Sequence, residues 1–239
     1  MKHIFSCKLT IFLLGLCFLL LSSCSARIEG TVAEDGSASL AVSVSLMPRM
    51  ASMIRALAAA GGQTDMPVLD GPGIAESMAS APGIESVTFR NTFSTSIDGQ
   101  IRVSKIGEFL SSADGDGFIT FEQTPGGSRI GITINHSNGS DILEKLSPDI
   151  SNFLEALMAP VVTGEEMNKD DYLELVATFY NRAISEEIAD SKIRASIEFP
   201  GNITNVRGGT FSGRRANFDV PLIDLLVLEM PLSYEVTWN

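Results

Sequence analysis

The chain has 239 residues, 44% of them hydrophobic, and a formal net charge of −12 from 17 basic and 29 acidic side chains. That length supports one domain with a substantial apolar core. So acidic a balance argues against nucleic acid as a partner, because phosphate neutralisation needs clustered Lys and Arg.

Lys2 and Lys8 stand at the start of an apolar run from Leu9 to Leu21. A charged beginning followed by a short apolar run is the pattern of a secretory signal. The run falls short of the ~20 residues that a membrane-spanning helix needs. Leu21-Ser22-Ser23-Cys24 follows and resembles the lipobox of bacterial lipoproteins, in which small residues enter a peptidase cleft and the thiol accepts diacylglycerol. The expectation is a removed segment at 1–23, lipidation of Cys24, and a single domain over 24–239. The membrane would then be held through lipid, and the domain would sit in the bacterial cell envelope, facing the periplasm or the cell surface. Cys7 and Cys17 lie within the removed segment, leaving Cys24 alone, so a disulfide framework and a cysteine nucleophile are both excluded from the domain. The same removal takes away two lysines and no acids, so the remaining chain stands at −14. No second spanning stretch follows, since the apolar residues from Val220 to Leu232 are interrupted by Asp224, Glu229 and two prolines.

Ser25 to Arg27 make only a short tether. Ile28, Gly30 and Val32 then alternate with polar residues, as do Leu40, Val42, Val44 and Leu46, which predicts a hairpin. A two-residue Asp-Gly loop would set the apolar faces against polar ones. A three-residue loop over Glu34-Asp35-Gly36, with Gly36 left-handed, pairs Ile28 with Val42 and Gly30 with Leu40. Pro48 opens a helix whose stripe is Met50, Met53, Ile54 and Leu57, with Gly61 as its stop. Residues 61–73 read as a loop and Ile74–Ser80 as a short helix. Val87, Phe89 and Phe93 mark one strand and Ile101 and Val103 another, with Asp98-Gly99 as the turn region. Ile119 and Phe121 lead through Pro125-Gly126-Gly127 to Ile130, Ile132 and Ile134, and a Gly-Gly turn sets Phe121 opposite Ile132.

The pattern becomes helical over about 140–190. Ser147-Pro148-Asp149 starts one helix, with Ile150, Phe153, Leu154 and Leu157 as its buried stripe. A second runs from about Lys169 to Ala189, with Tyr172, Val176, Phe179, Tyr180, Ala183 and Ile184 on one side. Strands return at Ile193, Ala195, Ile197 and Phe199. Pro200-Gly201-Asn202 turns the chain, a Gly-rich hairpin spans Ile203 to Phe218, Pro221–Leu228 is a short helix, and Leu232, Tyr234, Val236 and Trp238 form a last strand. Neighbouring strands with helices in blocks predict an α+β fold: a mainly antiparallel β-sheet with two amphipathic helices packed on one face.

Candidate chemistry is sparse. Asp114-Gly115-Asp116-Gly117 resembles part of an EF-hand calcium loop, with Asp114 and Asp116 at its third and fifth positions. Ser112 replaces the first aspartate, Gln123 replaces the bidentate glutamate, and no exit helix follows. The competing reading is an Asp/Gly turn entering a strand. Arg207, Arg214 and Arg215 share a Gly-rich hairpin in an acidic chain, and arginine forks suit phosphate and carboxylate. They are candidate ligand-binding residues, or a solvated hairpin balancing nearby acids. Glu165, Glu166, Asp170 and Asp171 precede and open a helix, where its dipole favours negative charge. His136 is the only histidine after Cys24, so triads and His-based zinc sites are not available. No catalytic residue is assigned, and no cofactor is implied beyond the calcium that the Asp114 loop would take.

Two further segments go together: Arg27-Ile28-Glu29-Gly30-Thr31-Val32 with Glu34-Asp35-Gly36-Ser37, and Ile197-Glu198-Phe199-Pro200-Gly201-Asn202-Ile203. With the lipobox ahead of them they resemble the LppM-like domain of bacterial envelope lipoproteins. That resemblance implies an antiparallel α+β domain with a lipid- or glycolipid-binding surface and carries over no catalytic residue. The leading expectation is a membrane-anchored lipoprotein, not an enzyme, that binds a lipid-like or protein ligand between sheet and helices. One alternative is a structural or interaction lipoprotein, such as an assembly component or adhesin, with no small ligand. The other is a metal-dependent hydrolase built on Asp114 and Asp116.

Overall fold

A computed structural model describes residues 26–60, 68–113, 119–139 and 158–239. Cys24 and the segment before it, Gly61, Asp114 and Asp116, and the expected helix at Ile150–Leu157 lie outside those residues.

In chain order, strands β1 (Ala26–Val32) and β2 (Ala38–Ser45) are followed by helices α1 (Pro48–Ala60) and α2 (Gly71–Ala79). Next come β3 (Ile84–Phe93), β4 (Ser96–Val103), α3 (Ile106–Ala113), β5 (Ile119–Thr124) and β6 (Gly127–Ile134). Helices α4 (Ala159–Thr163), α5 (Lys169–Phe179) and α6 (Arg182–Asp190) lead into β7 (Lys192–Glu198), β8 (Ile203–Arg207), β9 (Thr210–Ser212) and β10 (Arg215–Pro221). The chain finishes with α7 (Leu222–Val227) and β11 (Leu232–Trp238). Among the described residues the strands form a seven-stranded sheet, ordered β3-β4-β2-β1-β7-β10-β9, and a four-stranded sheet, ordered β5-β6-β11-β8. Every neighbouring pair is antiparallel except β1 with β7. The class is therefore α+β with mainly antiparallel strands, divided between two sheets.

The first hairpin follows the face-matching argument. Ile28 lies opposite Val42 and Gly30 opposite Leu40. Gly36 has φ +80°, and Ala33 and Ser37 close the three-residue loop through Ala33 N–H donating to Ser37 O at 2.8 Å.

Other turns depart from the sequence expectation. The β3–β4 turn is Ser94-Thr95, closed by the pairing of Phe93 with Ser96, and Asp98-Gly99 lie inside β4. Gly99 is needed there for packing: a Cβ on it would lie 2.2 Å from the ring of Phe89 across the ladder. Irregular register at both ends of β3 moves the turn away from the Asp-Gly signal. The β5–β6 turn is Pro125-Gly126, so Phe121 meets Ile130 and Ile119 meets Ile132. Pro125 presets the first corner of that turn, and the two-residue slip keeps each side chain on its face. Helix α2 starts at Gly71, three residues before the apolar periodicity begins, with proline in its first turn.

The expected long helix at 169–189 is two helices. Asn181 breaks it and caps the second, its Oδ1 accepting from Ile184 N–H at 2.9 Å. Asn168 caps α5 in the same way, accepting from Asp171 N–H at 2.8 Å. Glu187 of α6 reaches across to the start of α1, where its carboxylate accepts from Arg49 N–H (3.3 Å) and Met50 N–H (2.9 Å). Charge and hydrogen bonding both favour an anion at that helix end.

Two apolar cores result. One joins Met50 and Met53 of α1 to Tyr172, Val176, Ile184 and Ile188 of the α5–α6 pair and to Ile223, Leu226 and Val227 of α7. The other lies between the sheets and holds Val32, Ala38, Ile101, Val103, Phe199, Ile203, Ala216, Val236 and Trp238. No helix among the described residues is long and apolar enough to cross a membrane.

Candidate functional site

The inner faces of the two sheets meet in a seam that runs between the cores. On the seven-stranded sheet, alternation turns Ala26, Ile28, Gly30 and Val32 of β1 to one side, and pairing sets Val42, Gly99 and Phe89 beyond Ile28 on one flank. Ala195 and Phe218 continue the same row on the other flank. On the four-stranded sheet Ile119, Ile132 and Tyr234 form the matching row.

Ile28, Val44, Ile193, Ala195 and Val220 are only half-buried, as are Ile119, Ile132 and Tyr234. They belong to neither core. Apolar side chains packed sheet to sheet would ordinarily be buried, so this middle stretch is an aliphatic seam that the sheets cover less completely than the two cores.

On one side of the seam the sheets are joined by aromatic contacts. The rings of Phe218 and Tyr234 meet edge to face with centroids 5.8 Å apart. Phe199 and Trp238 meet at 4.6 Å further towards the inter-sheet core. Gly208 and Gly209 lie against the Phe218–Tyr234 pair, where the chain passes from β8 in one sheet to β9 in the other. Gly208 has φ +72° and packs on Tyr234, and a Cβ on Gly209 would lie 2.5 Å from Asn217 O and 2.6 Å from the Phe218 ring. The glycines of the expected Ile203–Phe218 hairpin thus let the chain change sheets, and the tight hairpin is only β9–β10, turned at Gly213-Arg214. Burial, with a smaller contribution from the charge on Asp224, raises the pKa of the Tyr234 phenol. Tyr234 therefore stays neutral at physiological pH, with a hydroxyl that can donate or accept.

The three candidate arginines are not brought together on this seam. Arg214 and Arg215 converge on one carboxylate, that of Glu198, at 2.8 and 2.9 Å. Arg214 also donates to Pro200 O at 3.3 Å. Hydrogen bonds from Arg215 and then Arg214 hold the Glu198 carboxyl below its ordinary pKa. Arg207 lies on the other sheet, opposite Glu235 in the ladder, and Glu235 is itself paired with Arg129 at 2.6 Å.

Ser112 falls in the last turn of α3 and Gln123 in β5 opposite Ser128, while Asp114 and Asp116 lie outside the described residues. Among the described residues no group of three or more His, Cys, Asp or Glu side chains could hold a metal ion. His136 sits in the turn after β6, which Asn138 closes by accepting from Asn135 N–H and donating to Thr133 O. The acidic Glu165, Glu166, Asp170 and Asp171 precede and open α5, Asp171 taking part in the Asn168 cap.

A concavity of about 480 Å³ lies across β2, β4 and β3 and includes Ser43, Thr88, Arg90, Asp98 and Gln100. It is open and lined by both polar and apolar groups. The inter-sheet seam is not legible in the sequence because it depends on which strands share a sheet, and no local motif marks it.

Fold and packing together define an α+β domain of two facing sheets with an apolar seam and a helical core at one end. No family model matches the chain, and no curated protein matches it. The chain has a weak structural resemblance to the NMR structure of the folded domain of LppM from Mycobacterium tuberculosis. The TM-score is 0.43 at 10% sequence identity, over 90% of this chain and 88% of that one.

Proposed function

We propose that this protein is a membrane-anchored lipoprotein of the bacterial envelope that binds a lipid-like ligand in the seam between its two sheets and performs no catalysis. The half-buried aliphatic row of Ile28, Val44, Ile193, Ala195 and Val220, facing Ile119 and Ile132, supports this reading. Those side chains offer dispersion contact and no charge, which suits an acyl chain or another extended apolar group. Tyr234 beside the seam supplies the hydroxyl that such a ligand's polar end would meet. The anchor belongs to the proposal through Leu21-Ser22-Ser23-Cys24, where a thiol follows two small residues and an apolar run.

The test is native mass spectrometry on Ser25–Asn239 released into a bacterial periplasm and purified gently. A mass excess of several hundred daltons, removed by organic solvent, is expected. A bare mass together with a stoichiometric protein partner would overturn the ligand and favour an interaction module. An excess equal to one calcium ion would point instead to Asp114 and Asp116.

A further inference from the structure

The anchor proposed at Cys24 has a geometric consequence. Ala26 is the first residue of β1, which is the middle strand of the seven. It is two positions from Cys24, a reach of about 7 Å when fully extended. The start of β1 is therefore held within one short side-chain length of the lipid headgroups.

Strand pairing shows what shares that end of the sheet. Ala26 lies opposite Val44 and Ile193, Ser45 opposite Ser96, Phe93 opposite Ser96, and Lys192 opposite Pro221. Helices α1, α6 and α7 join the sheet there. The far end carries the Glu34–Gly36 turn, about 20 Å away along the seven residues of β1.

The exposed apolar groups follow the same division. Among the described residues, the exposed large hydrophobic ones are Phe93, Leu175, Phe179, Tyr180, Phe211 and Met230. Phe93 lies at the anchor end, Leu175, Phe179 and Tyr180 belong to the α5–α6 hairpin that leads into it, Met230 follows α7, and Phe211 lies in β9. Phe93, 76% exposed, closes the β3–β4 turn about 14 Å sideways from Ala26, three strand spacings away. Phe179, 75% exposed, sits at the corner of the α5–α6 hairpin. The open ends of that hairpin are tied to α7 by the Lys169–Asp224 ion pair and by Leu222 N–H donating to Ser191 O at 2.9 Å.

We infer that the helical end of the domain rests on the bilayer surface, with Phe93 and Phe179 in the headgroup region on either side of the Cys24 anchor. Aromatic side chains favour that depth. The acidic α5 and α6, with Asp170, Asp171, Glu186 and Asp190 among their residues, are repelled by anionic headgroups, so the contact is apolar rather than electrostatic. This inference rests on the lipoprotein reading above.

The experiment uses the full chain, lipidated in a bacterial host and reconstituted into vesicles of phosphatidylethanolamine and phosphatidylglycerol with brominated acyl chains. Tryptophan is introduced singly as Phe93→Trp, Phe179→Trp or Glu34→Trp, the last at the far turn. Trp238 is buried against Phe199 and contributes a common background. Fluorescence at positions 93 and 179 is expected to be quenched at least about twofold more than at position 34, as interfacial depth requires. Equal quenching at the three positions, or stronger quenching at 34, overturns the orientation. If the wild-type chain takes up radiolabelled palmitate and floats with vesicles while that happens, the lipoprotein reading stands. If it takes up no palmitate, and behaves as Cys24→Ser does, both fall.

Discussion

Single residues decide where the chain can change direction. Gly36 and Gly209 illustrate two different reasons. Gly36 has a left-handed backbone and nothing within 4 Å of where a Cβ would stand, so only its conformation matters. A Cβ on Gly209 would lie 2.5 Å from Asn217 O, a backbone atom that cannot swing aside. Gly209→Ala is expected to cost about 1–3 kcal/mol through forced displacement at the sheet crossing, read as a lowered denaturant midpoint with an unchanged slope. Glu198 gives a second residue-scale prediction. Its folded pKa lies below the unfolded value, so its bonds to Arg215 and Arg214 add stability above the ordinary carboxylate range. That stability is lost as pH falls through the lowered folded value. Wild type is expected to melt higher than Glu198→Gln at neutral pH, with the gap closing in acid. A gap independent of pH would show that the ion pair is not its source.

At the scale of elements, periodicity revealed strands better than it revealed where helices stop. The β1–β2 register was legible because only one loop length matches both apolar faces. The break between α5 and α6 was not, because Val176, Phe179, Tyr180, Ala183 and Ile184 continue one helical stripe across it. The available signal was Asn181, a residue that favours an N-cap, but its context looked helical on both sides. Asn181→Ala removes the acceptor for Ile184 N–H and is expected to destabilise the protein by about 1 kcal/mol. Circular dichroism on thermal unfolding would measure it, and no change in melting temperature would show that the cap is dispensable. Turns were misplaced where irregularity intervened: at Ser94-Thr95 the ladder slips beside Phe93, and Pro125 draws the β5–β6 turn one residue earlier than the Gly-Gly signal.

For the whole molecule, the inter-sheet seam arises because strands close in sequence go to different sheets. β8 and β9 are separated only by Gly208-Gly209, yet they lie in opposite layers. Ala195 sits mid-row between Ile28 and Phe218 with a small side chain. Ala195→Phe is expected to fill the seam, keep the fold and abolish the solvent-extractable mass excess in native mass spectrometry. Retention of the same excess would place the ligand elsewhere. That variant separates loss of the ligand from loss of the proposed anchor, since Cys24 is untouched.

Local alternation and turn chemistry determined most strands, the first hairpin register and the α+β class, because those depend on neighbours within a few residues. The proposed signal segment and the lipobox-like Leu21-Ser22-Ser23-Cys24 rest on the residues alone. Only the tertiary structure decided that β1 pairs in parallel with β7, 166 positions later by their first residues, Ala26 and Lys192. It alone divided the strands into two sheets, closed Arg214 and Arg215 on Glu198 and left an aliphatic seam between two cores. Those outcomes depend on which distant apolar faces bury each other, a long-range competition that no local pattern encodes.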